Sequence, residues 1–259
     1  MSAEGGHIVI GLGTGRSGTA SLSSLLDRQE GGICFHELNP SCAVFKGNAQ
    51  PQLNVVCEFR AILAGGDRSR LSVDYSRPAS VHTYERLQAM GPVRLIGDIA
   101  YYYLNYVEDI LRCVPECKFV CIKRDRTATV DSWIKKSSIR RWPSLWLGDR
   151  ITAMLTRTPF YSEYNYWQDH DGSTYKPDSV WDSTFPKFDA PNKRAAIEMY
   201  WDAYYVEAGR LAGSYPGSFR IFAIEDLSDA NGQEEILNFI GLGERDRSIG
   251  GDVHLHKSE

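Results

Sequence analysis

Three short stretches of this chain carry residue types that can hold an anion and move a proton. The first is Gly11-Leu12-Gly13-Thr14-Gly15-Arg16-Ser17-Gly18-Thr19-Ala20-Ser21-Leu22. Its glycines permit positive φ and a close backbone approach to a ligand. Ser17 and Thr19 offer hydroxyl donors, and Arg16 offers a permanent positive charge on a planar fork. The second is Lys123-Arg124-Asp125-Arg126-Thr127-Ala128-Thr129-Val130-Asp131-Ser132-Trp133, where Ser132 follows Arg124 by eight residues. A guanidinium and a hydroxyl of this kind can converge on one phosphate. The third is Cys34-Phe35-His36-Glu37-Leu38, which puts two proton-transfer groups side by side.

The elements around these stretches set where they fall. His7 to Leu12, Ile33 to Phe35, Val93 to Ile96, Lys118 to Ile122 and Phe219 to Ile224 read as buried strands. Helical patterns fall between and after them: Ser17 to Leu26, Gln52 to Ala64, Thr83 to Met90, Tyr103 to Arg112, Thr127 to Ser137, Lys193 to Ala212 and Gln233 to Ile240. Strand–helix alternation predicts an α/β fold of three layers, a parallel central sheet with helices on both faces. Such sheets bind ligands at the carboxyl ends of their strands. All three stretches fall at such ends. The first also runs directly into a helix, whose free N–H groups and dipole favour an anion. Neighbouring strand residues point to opposite faces, so only one of His36 and Glu37 is expected to face that ligand. Asp98, a further carboxylate at the same edge, is expected to orient a second substrate or to cap a helix.

Composition sets the outer limits. The chain has 259 residues, 42% hydrophobic and 24% charged, with a net charge of −4. This is the profile of an ordinary globular protein, and one or two domains suffice for its length. The acidic balance excludes a general nucleic-acid coating protein, so any anion site is a local basic cluster. No apolar stretch approaches the ~18 residues of a membrane span, and Met1 to Gly6 lacks the pattern of a secretory leader. A soluble, cytoplasmic protein is therefore expected. Cys34, Cys42, Cys57, Cys113, Cys117 and Cys121 lack zinc-site spacing and read as free, mostly buried thiols. No metal site is expected. Residues 141–192, rich in Trp, Tyr, Pro, Asp and Ser, read as a long excursion or lid inserted into the core domain.

Gly13 and Gly18 have the spacing of the two glycines of a Walker A loop, yet Thr19 replaces its Lys. An ordinary ATPase or GTPase is thereby disfavoured. The combination of this loop with the Arg124–Ser132 element resembles the sulfotransferases that use 3′-phosphoadenylyl sulfate (PAPS). The first stretch is similar to their 5′-phosphosulfate loop and the second to their 3′-phosphate element. The resemblance takes in Ile224-Glu225-Asp226-Leu227 and the segment ending Phe239-Ile240-Gly241-Leu242. It covers roughly residues 8–40, 93–139 and 195–243. Glu37 resembles the base of the branch that contains tyrosylprotein and several carbohydrate sulfotransferases.

That resemblance implies a P-loop-like sulfotransferase domain spanning residues 1–259 and in-line sulfuryl transfer to a hydroxyl. Arg16 and Glu37 would be catalytic. Gly15, Arg16, Ser17, Gly18, Thr19 and Ala20 would hold the 5′ end of PAPS, and Arg124 and Ser132 its 3′-phosphate. The chain departs from the family at Ala20, often a second Thr, and at Arg126, often Pro or Gly. Arg126 either adds charge near the 3′-phosphate or faces solvent. A P-loop kinase and a non-catalytic nucleotide-binding relative are the alternatives. The acceptor (a small molecule, saccharide or peptide hydroxyl) and the oligomeric state are not legible. Trp142, Trp146, Tyr161, Tyr164, Tyr166, Trp167 and Trp181 either line a stacking surface or pack the insert. His254, His256 and Lys257 have no assigned role.

Overall fold

The structure, a computed structural model, describes residues 6–39, 49–137, 151, 155, 188 and 190–250. Among these, five strands form one parallel sheet: β1 (His7–Leu12), β2 (Gly32–His36), β3 (Leu95–Ile99), β4 (Lys118–Lys123) and β5 (Phe219–Ala223). Their order is β2-β3-β1-β4-β5. The chain leaves β1 for the far strand β2, returns beside β1 as β3, then crosses to the other flank as β4. The direction of winding reverses at β1, and sheets of this kind bind ligands at the carboxyl ends of the strands beside such a reversal.

Seven α-helices are described: α1 (Thr19–Asp27), α2 (Gln50–Leu63), α3 (Pro78–Ala89), α4 (Val107–Cys113), α5 (Arg126–Ser137), α6 (Lys193–Ser214) and α7 (Ala230–Ile240). Alternation along the strands decides which helix covers which face. Val9, Cys34, Leu95, Ile99, Val120, Ile122 and Phe222 pack with Leu22, Leu25 and Leu26 of α1 and Ile236, Leu237 and Ile240 of α7. On the other parity, Phe35 stacks on Phe59 of α2. Helices thus cover both faces, and β1 to β4 read as near-continuous apolar runs because their interiors are buried on both faces. No helix among the described residues is long and apolar enough to cross a membrane.

The chain falls into two compact units, residues 1–43, 48–124 and 205–259 in one and residues 44–47 and 125–204 in the other. The whole sheet belongs to the first. In the second, Asp125 accepts the backbone N–H of Ala128 at 2.8 Å and so caps α5. Arg126 there makes a bidentate pair with Asp202, at 2.9 and 2.6 Å, and reaches Glu198 at 3.3 Å. Arg126 is part-exposed, in keeping with the solvent-facing expectation, and two carboxylates of α6 pair with it there, because a fork matches a carboxylate. The aromatic residues singled out in the insert and the C-terminal His254, His256 and Lys257 lie outside the described residues.

Most elements fall near where periodicity put them, although α3 starts at Pro78 rather than Thr83, and two further differences are instructive. The third strand starts later and runs further, through Gly97 and Asp98 to Ile99. Gly97 fits because it lacks a side chain; a Cβ there would sit 2.5 Å from the Val9 carbonyl oxygen. Asp98 fits because three donors meet it, as described below. The segment after it begins as a 3₁₀ turn, Tyr101–Tyr106, before α4. Among the described cysteines, Cys34, Cys117 and Cys121 are buried but Cys57 and Cys113 are exposed. Three of these five are buried, so most of the described thiols are, as expected.

The contact at Gly97 generates a prediction. Gly97→Ala forces apart β1 and β3, the pair that carries the phosphate loop. Overpacking of this kind costs about 1–3 kcal/mol. Urea unfolding is expected to show a lower midpoint at unchanged m-value; an unchanged midpoint would contradict the close strand approach.

Candidate active site

β1 ends at Leu12, and the chain turns through Gly13 to Gly18 into α1. Gly15 (φ 72), Arg16 (φ 57) and Gly18 (φ 95) adopt left-handed backbone conformations. Gly18 is the N-cap of α1 and supplies no side-chain hydrogen bond, and the first turn holds no acidic residue. The N–H groups of that turn are therefore without a side-chain cap, and the positive end of the helix faces the loop. The φ of 95 at Gly18 favours glycine, and a Cβ there would also sit 3.0 Å from the Ile224 side chain. A Cβ at Gly13 would collide with Ser17 Oγ.

Ser17 is fully buried, and its hydroxyl makes no hydrogen bond of acceptable geometry among the described residues. Tyr205, whose hydroxyl Thr14 and Ser17 face, donates to the Ile122 carbonyl at 2.7 Å. Burial raises the pKa of that phenol and keeps it a donor. A buried hydroxyl left unmatched beside an uncapped helix start is a costly arrangement without a ligand.

Arg124, one residue past β4, donates through Nη1 to the backbone carbonyl of Arg16 at 3.0 Å. That bond holds a non-glycine residue in the left-handed region, which costs of order 1–3 kcal/mol. The Arg16 guanidinium is half-buried, and its pKa is lowered by burial and by the positive charge of Arg124. Two like charges kept near each other while partly removed from water create a local demand for an anion.

The next strand end supplies the acid–base groups. His36, the last residue of β2, places Nε2 3.2 Å from Thr19 Oγ1, the first residue of α1. Glu37 follows with φ 58. It and Arg16 are the non-glycine residues with positive φ among those described. Side-chain alternation does not extend to Glu37, because alternation requires extended backbone and Glu37 is not extended. Its carboxylate accepts Arg77 Nη2 at 2.7 Å, with both side chains about four-fifths buried (19% and 22% exposed). Its N–H donates to the Ile99 carbonyl at 3.1 Å, and its carbonyl accepts Ser80 Oγ at 3.3 Å.

Asp98 underpins this turn. It is fully buried and accepts the Leu38 N–H at 3.0 Å, the Tyr103 hydroxyl at 2.9 Å and the Tyr102 hydroxyl at 3.3 Å. Its three contacts cap no helix, which corrects that half of the expectation. It fastens the residue after Glu37. Burial pushes its pKa up to about 6; the Leu38 and Tyr103 hydrogen bonds oppose that rise, and the Glu37 charge adds to it.

The structure brings Gly15, Arg16, Ser17, Gly18, Thr19 and Arg124 together at one strand edge, and His36 joins them through Thr19. Ala20 is the second residue of α1 and adds no donor of its own beyond its N–H. Ser132 lies in α5, within the second unit, while Arg124 belongs to the first. Arg77, Tyr102, Tyr103 and Tyr205 were not singled out from sequence. Arg77 carries one usable signal, its place directly before Pro78 at a helix start, but nothing in that dipeptide names Glu37 as its partner.

No protein-family model matches the sequence, and no curated protein matches it closely. Among solved structures, the chain is similar to a sulfotransferase from Alicyclobacillus acidocaldarius. The match has 12% sequence identity and a TM-score of 0.47, and covers 98% of this chain and 86% of the other.

Asp98 makes the site's stability pH-dependent in a defined direction. Its folded pKa of about 6 lies above the ordinary 3.8, so the folded state binds the extra proton between these values. Its contribution to stability is complete below about pH 4 and lost as pH rises through about 6. Asp98→Asn, which removes the titration, is expected to flatten the fall in unfolding free energy across that window by roughly 3 kcal/mol. An identical pH slope in wild type and variant, measured by urea unfolding, would contradict the assignment.

Proposed function

We propose that this protein transfers the sulfuryl group of PAPS to an acceptor hydroxyl. The observation that carries the reading is the Arg16 turn. A left-handed guanidinium-bearing residue is held by Arg124 above an uncapped helix start, next to a buried, unmatched serine hydroxyl. A phosphosulfate group suits that set of donors. The Ser17 hydroxyl, the Thr19 hydroxyl and the N–H groups of Gly18 through Ala20 would hold its 5′-phosphate. Arg16 would lie against the sulfuryl oxygens and the leaving phosphate. Arg124 would hold the 3′-phosphate, in keeping with the resemblance of that element.

In the reaction, the acceptor oxygen forms a bond to sulfur as the bond from sulfur to the bridging phosphate oxygen breaks. The electron pair leaves with the phosphate, and the acceptor proton passes to Glu37. Positioning and charge stabilisation dominate such transfers. Arg16 is pre-placed for the charge that develops on the leaving oxygen, with its backbone already fixed before substrate arrives. Arg77 orients the Glu37 carboxylate, and Asp98 fixes the turn that carries it. Fixed guanidiniums supply the positive charge that a metal ion supplies to nucleotide phosphates elsewhere. Small molecules, saccharides and peptides all offer hydroxyls that this chemistry accepts.

The test is Glu37→Gln, assayed with labelled PAPS against a panel of saccharides, phenols, lipid alcohols and tyrosine peptides. The expected result is sulfate transfer by the wild type, with kcat lower by about 10²–10⁴ in the variant. Calorimetry is expected to show affinity for the product, adenosine 3′,5′-bisphosphate (PAP), unchanged within a few-fold. Unaltered turnover in the variant would remove Glu37 from the mechanism. Mg-ATP-dependent phosphoryl transfer indifferent to a 3′-phosphate would instead establish a kinase, and PAP binding without transfer a non-catalytic relative.

A further inference from the structure

The Thr19 hydroxyl has one proton, and two groups compete for it. His36 Nε2 lies 3.2 Å from Thr19 Oγ1. If that nitrogen lacks a hydrogen, Thr19 must donate to it, and the hydroxyl turns its lone pairs toward the loop. If the nitrogen carries a hydrogen, His36 donates instead, and the Thr19 proton is free to point elsewhere. Thr19 is the first residue of α1, directly after Gly18 and in the same turn as the buried Ser17 hydroxyl. An anion in the loop needs donors and repels lone pairs. It therefore binds one of the two His36 states and disfavours the other.

We propose that His36 is a positioning residue that sets the direction of the Thr19 hydroxyl, and that an anion entering the loop selects the state with hydrogen on Nε2. His36 acts through Thr19 and needs no contact with the anion. The arrangement divides the two neighbouring proton-transfer residues between two tasks. His36, on β2, serves the phosphate side, and Glu37, past the strand end and held by Arg77, serves the acceptor side. The naming of PAP as the natural anion rests on the function proposed above; the coupling of His36 to Thr19 does not.

The experiment reads the His36 ring nitrogens in ¹⁵N-histidine-labelled full-length protein by long-range ¹H–¹⁵N spectra, with His36→Gln to assign the signals. Inorganic sulfate and PAP are added in separate titrations. The expected result is a shift of His36 to the Nε2-protonated pattern on saturation with either anion. In parallel, calorimetry is expected to show anion binding weakened about tenfold in His36→Ala. His36→Gln, whose amide can donate in place of Nε2–H, should restore it to within about threefold. In a Thr19→Val background, His36→Ala should cost nothing further.

A ring that stays unprotonated at Nε2 with anion bound overturns the inference, as does an equal loss for His36→Ala with and without Thr19. A response to sulfate with none to PAP keeps the inference and defeats the proposed donor. No response of His36 to either anion defeats the inference. Should His36→Ala fail to fold, the wild-type ring spectrum alone decides.

Discussion

Arg124 reaches back from the end of β4 and holds the carbonyl of Arg16, and the remainder of the site is arranged around that bond. It joins two residues of the same charge, which elementary electrostatics disfavours. The lowered pKa of Arg16 records the cost in both burial and repulsion. Such an arrangement is stable in a folded protein only when stronger constraints impose it. Here the constraints are the parallel pairing of β1 with β4, with Leu12 opposite Cys121, and the left-handed turn between Gly15 and Gly18. An anion relieves the repulsion, so the energy stored in the free protein becomes a preference for a charged ligand.

The sheet order explains why this can occur at β1. With β3 on one flank and β4 on the other, the end of β1 collects loops from both directions of winding. From the β4 side comes Arg124. From the other side come His36 and Glu37 at the end of β2, fastened through Leu38 to the fully buried Asp98 on β3. Asp98 illustrates how much the fold invests in that turn. A buried carboxylate is costly, and three hydrogen bonds offset only part of the penalty, so its pKa remains high at about 6. Among the described residues, the two non-glycine ones in left-handed backbone are Arg16, after β1, and Glu37, after β2. Strain of this kind concentrates where geometry serves chemistry.

Much of this was legible in the residues. The strands with both faces covered announce themselves as apolar runs, and strand–glycine-loop–helix order points to an anion site before any coordinates exist. Arg16 was singled out through the resemblance of its loop to a phosphosulfate loop, and Glu37 through the resemblance of its place after the second strand to that of a Glu base; their roles are proposals. What periodicity could not carry is contact between distant residues. Arg77 lies forty positions from Glu37, and its role follows from where α3 starts. Asp98 was visible as a carboxylate at the correct edge, but its three donors arrive from a 3₁₀ turn and a β2 loop that no pattern specifies. The argument that only one of His36 and Glu37 can face the site assumed extended backbone at both, and the positive φ of Glu37 removes that assumption. The carboxylates that pair with Arg126, Asp202 and Glu198, lie more than seventy residues away, so no local pattern names them.

The most direct test of the account is a crystal structure of the protein with PAP bound. The 5′-phosphate is expected at the start of α1, within hydrogen-bonding distance of Ser17 and Thr19, with the Arg16 guanidinium against it and the 3′-phosphate on Arg124. PAP bound elsewhere, or bound with both guanidiniums turned away from it, would contradict the account at its base.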